Sequence, residues 1–96
     1  MFHRLYCSSG NTLGVDEYLG YSEIGVDGYW LRYLEIRADG TALRYSEAFP
    51  ADSHGILPEG TWDEDEIVKR EYGTVAAISA ELFEALWATT RCVNDR

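Results

Sequence analysis

Hydrophobic residues are densest in the stretch DGYWLRYLEIRADGTALRYSE, which covers residues 27–47. Asp27-Gly28 and Asp39-Gly40 are turn signals, and the segments that they separate are rich in aromatic and branched residues, as in β-hairpins. Similar apolar segments precede this stretch. The pattern therefore predicts an antiparallel meander with strands at 2–7, 17–24, 29–37 and 42–47.

The third predicted strand carries large apolar side chains on both faces, whereas a half-buried strand alternates apolar and polar residues. A β-bulge at Arg32 and Tyr33 would explain the uneven spacing. It would place four apolar residues on a face covered by a helix: Tyr29, Leu31, Leu34 and Ile36. The opposite face would carry Trp30, Glu35 and Arg37, with Tyr33 displaced at the bulge.

Two interpretations of this second face remain open. Exposed aromatic residues mixed with Arg and Glu are typical of protein interfaces, so Trp30 and Tyr33 could contact a partner. Alternatively, the first strand, the long loop or a second copy of the chain covers them.

The second half of the chain is predicted to contain two helices. A loop over AFPADSHGILPEG, which holds both prolines, is followed by the capping-box sequence TWDE, so Thr61 would cap an acidic helix over about 62–72. Gly73 would end this helix. The next segment, TVAAI, is either a short strand or an extended connector.

The last predicted helix covers AELFEALWATT, with Ser79 as its N-cap. Its apolar stripe would pack on one face of the sheet, with Glu81 and Glu84 facing away. The stripe consists of Leu82, Phe83, Leu86, Trp87 and Thr90. Residues 90–96 would form a loose tail. The prediction is a single α+β domain over 1–96, with a four- to five-stranded antiparallel sheet.

The formal net charge of −9 narrows the choice of partner. Nucleic acids and anionic membranes are polyanions, so binding to either is disfavoured. A basic protein partner is favoured, although the charge could serve solubility alone. No Lys or Arg lies between Tyr45 and Val68, a segment with seven acids: Glu47, Asp52, Glu59, Asp63, Glu64, Asp65 and Glu66.

Motifs for catalysis, metals or cofactors are weak. Asp52, Ser53 and His54 are consecutive, whereas catalytic relays normally converge from separate elements, so we expect no enzyme activity. The glycines form no nucleotide-binding pattern, and the cysteines and histidines have no metal-site spacing. We therefore expect no cofactor and no metal.

The start of the chain, MFHRLYCSSG, has no charged segment followed by a long apolar run, and no stretch is long enough to span a membrane. We expect a cytoplasmic protein in which Cys7 and Cys92 are free thiols.

The strings YSEI, RYLEIRADG and ISAELFEALW occur in an order that resembles a family of uncharacterised small bacterial domains. The resemblance covers residues 17–89, whereas 1–16 match poorly. Members of that family are regarded as immunity proteins of polymorphic toxin systems. The resemblance implies an inhibitor that occludes a basic toxin, for which a nuclease is one candidate.

On this hypothesis the partner-binding residues are the aromatic and charged residues of the second face together with the seven acids: Trp30, Tyr33, Glu35, Arg37, Glu47, Asp52, Glu59, Asp63, Glu64, Asp65 and Glu66. The alternative is a self-associating domain, in which Trp30 would be buried in a homodimer interface.

Overall fold

Five strands form one antiparallel sheet in the computed structural model, which describes residues 1–8, 17–71 and 73–94. Across the sheet the strands are ordered β4-β3-β2-β1-β5. The elements are β1 (Phe2–Ser8), β2 (Tyr18–Ile24), β3 (Trp30–Arg37), β4 (Ala42–Ser46), α1 (Glu64–Glu71), β5 (Gly73–Ala77) and α2 (Ala80–Thr89). The predicted α+β class, with a short acidic helix before a C-terminal helix, is confirmed.

The hairpins of the meander form where the sequence predicts them. Gly28 and Gly40 have φ values of 90° and 88°, a left-handed conformation that glycine adopts without a Cβ clash. The segment TVAAI is a strand rather than a connector, because β5 pairs antiparallel with the outer edge of β1. The turn-rich stretch 9–16 lies outside the described residues.

The bulge in β3 lies at Leu31, so its predicted position at Arg32 and Tyr33 is wrong. Glu23 pairs with Arg32 and Ile24 pairs with Trp30, which leaves Leu31 as the extra residue. Tyr29 was predicted to lie on the helix-covered face, and this prediction is wrong. It directly follows the turn and forms a bridge to Thr61 at the end of the long loop, before the pairing of β3 with β2 begins at Trp30.

Helix α2 covers one face of the sheet, which we call the α2 face. Leu34, Ala42 and Cys92 form its buried centre, with Ile36, Leu86 and Trp87 among the residues packed around them. Arg32 lies over the Phe83 ring on the same side. This side of the sheet therefore contains the apolar core that the helical stripe predicts.

The start of α2 is as predicted, but its orientation differs from the prediction. Ser79 caps the helix, since its Oγ accepts a hydrogen bond from the Leu82 backbone N–H at 3.1 Å. Phe83 is fully buried, whereas the side chain of Leu82 is 44% exposed. Glu84 does not face away, because it pairs with Arg32. The Phe83 ring packs 5.1 Å from His3, and centring the helix on this contact turns Leu82 outward.

The opposite face of the sheet, here the loop face, is covered by the chain itself. Trp62 lies at the end of the long loop, and its ring centroid is 5.6 Å from that of Trp30 and 6.4 Å from that of Phe2. Arg4 contacts Glu64 at the start of α1. We call the segment 48–62 together with α1 the cover. The sequence left open whether a partner, the first strand, the long loop or a second copy covers this face. In the structure the long loop packs on it.

Helix α1 begins two residues later than predicted. The Oδ1 atom of Asp63 accepts a hydrogen bond from the Glu66 backbone N–H at 3.2 Å, so Asp63 caps the helix. Thr61, the predicted cap, is occupied in the bridge to Tyr29. A long-range strand contact thus displaces the local capping-box preference.

The described part of the C-terminal tail is docked rather than loose. Cys92 is buried, and the Val93 backbone N–H donates to the Ala42 carbonyl at 2.9 Å. The Asn94 side chain donates to the Arg44 carbonyl at 2.9 Å. The tail therefore covers the outer edge of β4, and its last two residues, 95 and 96, lie outside the described residues.

We expect Phe83→Ala to lower the free energy of unfolding by about 3–5 kcal/mol, because it leaves a cavity in the core beneath α2. The neighbouring exposed Leu82→Ala should change it by only about 0.5 kcal/mol. Denaturant unfolding of both variants measures this difference. Equal losses would contradict the observed orientation of α2.

Candidate partner-binding surface

Most of the predicted acidic residues lie exposed on or beside the cover. Asp52 is the exception, because its side chain is half-buried. The exposed acids are Glu47, Glu59, Asp63, Glu64, Asp65 and Glu66. The fold thus concentrates these six acids on and beside the cover, and the second half of α1 adds Lys69 and Arg70.

Two exposed apolar side chains lie in and directly after the β2–β3 turn, which contacts the segment before α1. The Trp62 backbone N–H donates to the Gly28 carbonyl at 2.8 Å, which joins the β2–β3 turn to the segment before α1. In and after this turn, Val26 is 94% exposed and Tyr29 is 53% exposed. We call Val26, Tyr29 and 63–66 the acidic rim. Apolar anchors beside charged residues are the composition of many protein interfaces.

The four acids of the acidic rim have different roles within the fold. Asp63 caps α1, and a Glu64 carboxylate oxygen lies 3.7 Å from the Arg4 guanidinium. Asp65 and Glu66 are exposed in the first turn of the helix, where negative charge complements the helix dipole. Asp65 and Glu66 can therefore be altered without removing the cap.

The predicted aromatic anchors lie under the cover and are not part of the acidic rim. Trp30 and Tyr33 are half-buried, and the indole Nε1–H of Trp30 donates to Ser22 Oγ at 3.0 Å. The Tyr33 hydroxyl donates to Glu35 at 2.9 Å, and burial raises the pKa of Tyr33 well above its ordinary value.

Glu35 and Arg37 are also satisfied within the chain. Arg37 donates its Nε–H to Glu35 at 2.9 Å, and this hydrogen bond raises the pKa of Arg37. The residues that sequence reasoning missed are Val26 and Tyr29. Their only signal was their position beside the Asp27-Gly28 turn.

Asp52 ties the cover to the rest of the fold. Its carboxylate accepts hydrogen bonds from the Tyr45 hydroxyl at 2.8 Å, the Asn94 amide at 2.9 Å and the His54 backbone N–H at 2.8 Å. These bonds, that from Asn94 above all, lower the pKa of Asp52 to about 2. Burial, reinforced by the bond to Asp52, raises the pKa of Tyr45 to about 12.

The consecutive residues Asp52, Ser53 and His54 therefore form a turn in which the carboxylate binds backbone. This is the ordinary turn chemistry of aspartate. Asp52 therefore attaches the cover to Tyr45 and Asn94, and it is not part of the acidic rim.

A second polar cluster is buried on the α2 face. The Glu23 carboxylate accepts two hydrogen bonds from Arg32, at 2.8 and 2.6 Å, and lies 3.0 Å from His3 Nε2. The hydrogen bonds from Arg32 are the main reason why the pKa of Glu23 is lowered. The Arg32 guanidinium also pairs with Glu84 and lies 4.9 Å from the centre of the Phe83 ring. This cluster joins β1, β2 and β3 to α2.

Across residues 1–8, 17–71 and 73–94, no group of three or more His, Cys, Asp or Glu side chains could hold a metal ion. Cys7 and Cys92 are not joined by a disulfide bond. Within the same ranges, no helix has the length and apolar character needed to cross a membrane.

Comparisons with protein-family models, with curated proteins and with solved structures find no match. The resemblance to bacterial immunity domains therefore stays a prediction from the sequence strings.

We expect Glu23→Gln to destabilise the fold at neutral pH by about 2 kcal/mol, because it removes the charge-assisted hydrogen bonds to the more buried of the two carboxylates that pair with Arg32. The wild-type pKa of Glu23 lies below its ordinary value of 4.5, so this stabilisation is complete above pH 4.5 and is lost as the pH falls through the folded-state pKa. Unfolding curves from neutral to acidic pH should converge for the two proteins. A constant difference would contradict this assignment.

We expect Asn94→Ala to loosen the cover, because the variant removes the main hydrogen bond that lowers the pKa of Asp52. That pKa should rise from about 2 toward its ordinary value of 3.8, and the His54 and Gly55 amides should exchange faster. Carboxyl-detected NMR titration and hydrogen exchange measure both effects. Ser53→Ala, a change at an exposed site in the same turn, is the control and should alter neither.

Proposed function

We propose that this protein is an inhibitory binding protein of the immunity type, which occludes a basic protein partner through the acidic rim. The observation that carries the proposal is the backbone bridge between Tyr29 and Thr61, because Tyr29 is exposed and Thr61 lies two residues before the first acid of the rim. The resemblance of the sequence strings to bacterial immunity domains agrees with this role.

The charge distribution supports a basic partner. The net charge is −9, and the acids of the rim belong to a segment without Lys or Arg. A field of one sign attracts an oppositely charged protein and accelerates association, and this effect weakens as salt screens it. A toxin that binds nucleic acid would present such a cationic surface.

The exposed apolar residues supply the second part of the mechanism. Tyr29 has a large ring that is half covered in the free protein, and burial of its exposed part against a partner would slow dissociation. Val26, in the adjacent turn, extends this contact. Inhibition then follows from steric occlusion of the partner's basic site.

Self-association is a second candidate, and the position of β5 favours it. This strand lies at the edge of the sheet, and an edge strand can pair with a second copy through its backbone. The predicted dimer contact through Trp30 is less favoured, because Trp62 packs against that ring within the same chain.

The test begins with capture of a basic partner by the tagged protein in extract from its native cells. Purified partner is then studied by surface plasmon resonance at several salt concentrations. We expect one-to-one binding in which the association rate falls steeply with salt. The double variant Asp65→Asn/Glu66→Gln should slow association severalfold, and Tyr29→Ala should mainly speed dissociation.

The matched control is Glu17→Gln/Glu81→Gln, which removes the same charge from exposed positions outside the acidic rim. This control should change association much less than the rim variant. Equal effects of the two double variants would contradict recognition through the rim. A concentration-dependent dimer in light scattering, with no captured partner, would favour self-association instead.

A further inference from the structure

A cavity of about 240 Å³ lies between the loop face of the sheet and the cover. Aromatic residues from three strands and from the cover form most of its wall, and Glu59 is the one charged residue among those that line it. The aromatic residues are Tyr6, Tyr18, Trp30, Tyr33 and Trp62. This cavity has no part in the acidic rim and does not depend on the function proposed above.

The rings form a concave wall because they are inclined to one another. The Trp30 and Trp62 planes meet at 59° with centroids 5.6 Å apart, and the Tyr6 and Tyr18 planes meet at 55° with centroids 5.7 Å apart. Parallel stacking would close the space between such rings. These two inclined pairs line the cavity together, so a small group inside it would contact several aromatic side chains.

Internal hydrogen bonds hold two of these rings in place. The indole N–H of Trp30 donates to Ser22, and the Tyr33 hydroxyl donates to Glu35. The Tyr6 hydroxyl is buried and has no hydrogen-bond partner among the described residues. The hydrogen bonds of Trp30 and Tyr33 preorganise that part of the wall, which reduces the entropic cost of binding a ligand.

The charge around the cavity favours a cation. Aromatic rings attract cations through the negative potential of their faces, and Trp is the strongest of them. The exposed Glu59 adds a carboxylate where the lining meets solvent. An anion would be repelled by Glu59 and by the overall charge of −9.

We propose that this cavity binds the methylated ammonium group of a small organic cation. Clusters of aromatic rings are the usual recognition site for quaternary ammonium ligands. Pockets for drug-sized molecules have volumes of about 300–1,000 Å³. At about 240 Å³, this cavity fits a compact head group rather than a larger ligand.

Choline and its neutral isostere 3,3-dimethylbutan-1-ol test the proposal, because they share shape and differ in charge. NMR titration of the full chain should shift the indole N–H signals of Trp30 and Trp62 with choline at millimolar concentrations. The alcohol should bind at least about tenfold more weakly, since it lacks the cation–π attraction. Absence of choline binding, or equal affinity for the two compounds, would overturn the proposal.

Two variants locate the binding site. Glu59→Gln changes an exposed side chain in the lining and should weaken choline binding about two- to fivefold. Glu47→Gln makes the same charge change at an exposed position outside the lining and should leave the affinity unchanged. Equal affinities of these two variants for choline would also overturn the proposal.

Trp62→Leu tests the aromatic wall itself. It should abolish the preference for choline over the alcohol, provided that the dispersed amide spectrum shows an intact fold. Tyr6→Phe keeps its ring and serves as a second, milder variant that should retain the preference. Preserved choline selectivity in a folded Trp62→Leu protein would overturn the proposal that the aromatic wall of the cavity binds the cation.

Discussion

The sheet has large side chains on both faces, and this constraint governs the rest of the structure. A sheet buries such faces only when another layer packs on each of them. Helix α2 supplies one layer, centred on Phe83. The cover supplies the other, with Trp62 against Trp30. Trp30 and Tyr33, the aromatic residues of β3 on the loop face, are therefore covered by the protein's own chain.

The two layers are held by different physical means. Under α2 the main polar contact is a buried ion cluster, in which Glu23 and Arg32 satisfy each other beside the core. The cover lacks a long helix or strand of its own. Single contacts fasten it to the rest of the fold: Asp52 binds Tyr45 near one end, and Glu64 contacts Arg4 near the other. Because the cover also carries most acids of the acidic rim and part of the wall of the aromatic cavity, its attachment affects both proposed sites.

Features specified by adjacent residues could be predicted from the sequence, and features specified by distant contacts could not. The glycine turns and the Ser79 cap depend on neighbours along the chain, and both are present. The cap of α1 was predicted two residues too early, at Thr61 rather than Asp63, and Thr61 forms a bridge with Tyr29 instead. Tyr29, the other residue of this bridge, is exposed. The local pattern had assigned it to the core. The docking of Asn94 likewise depends on a partner 50 residues earlier in the chain.

The most direct test of this account is a nuclear Overhauser measurement between the indole rings of Trp30 and Trp62 in dilute solution. Packing of the cover on the loop face predicts clear cross-peaks between the two rings, since their centroids are 5.6 Å apart. Absence of these cross-peaks in the folded protein, together with rapid solvent exchange of the Trp30 indole N–H, would contradict it. The aromatic face would then be open, and the cavity and the acidic rim would lose the cover on which both depend.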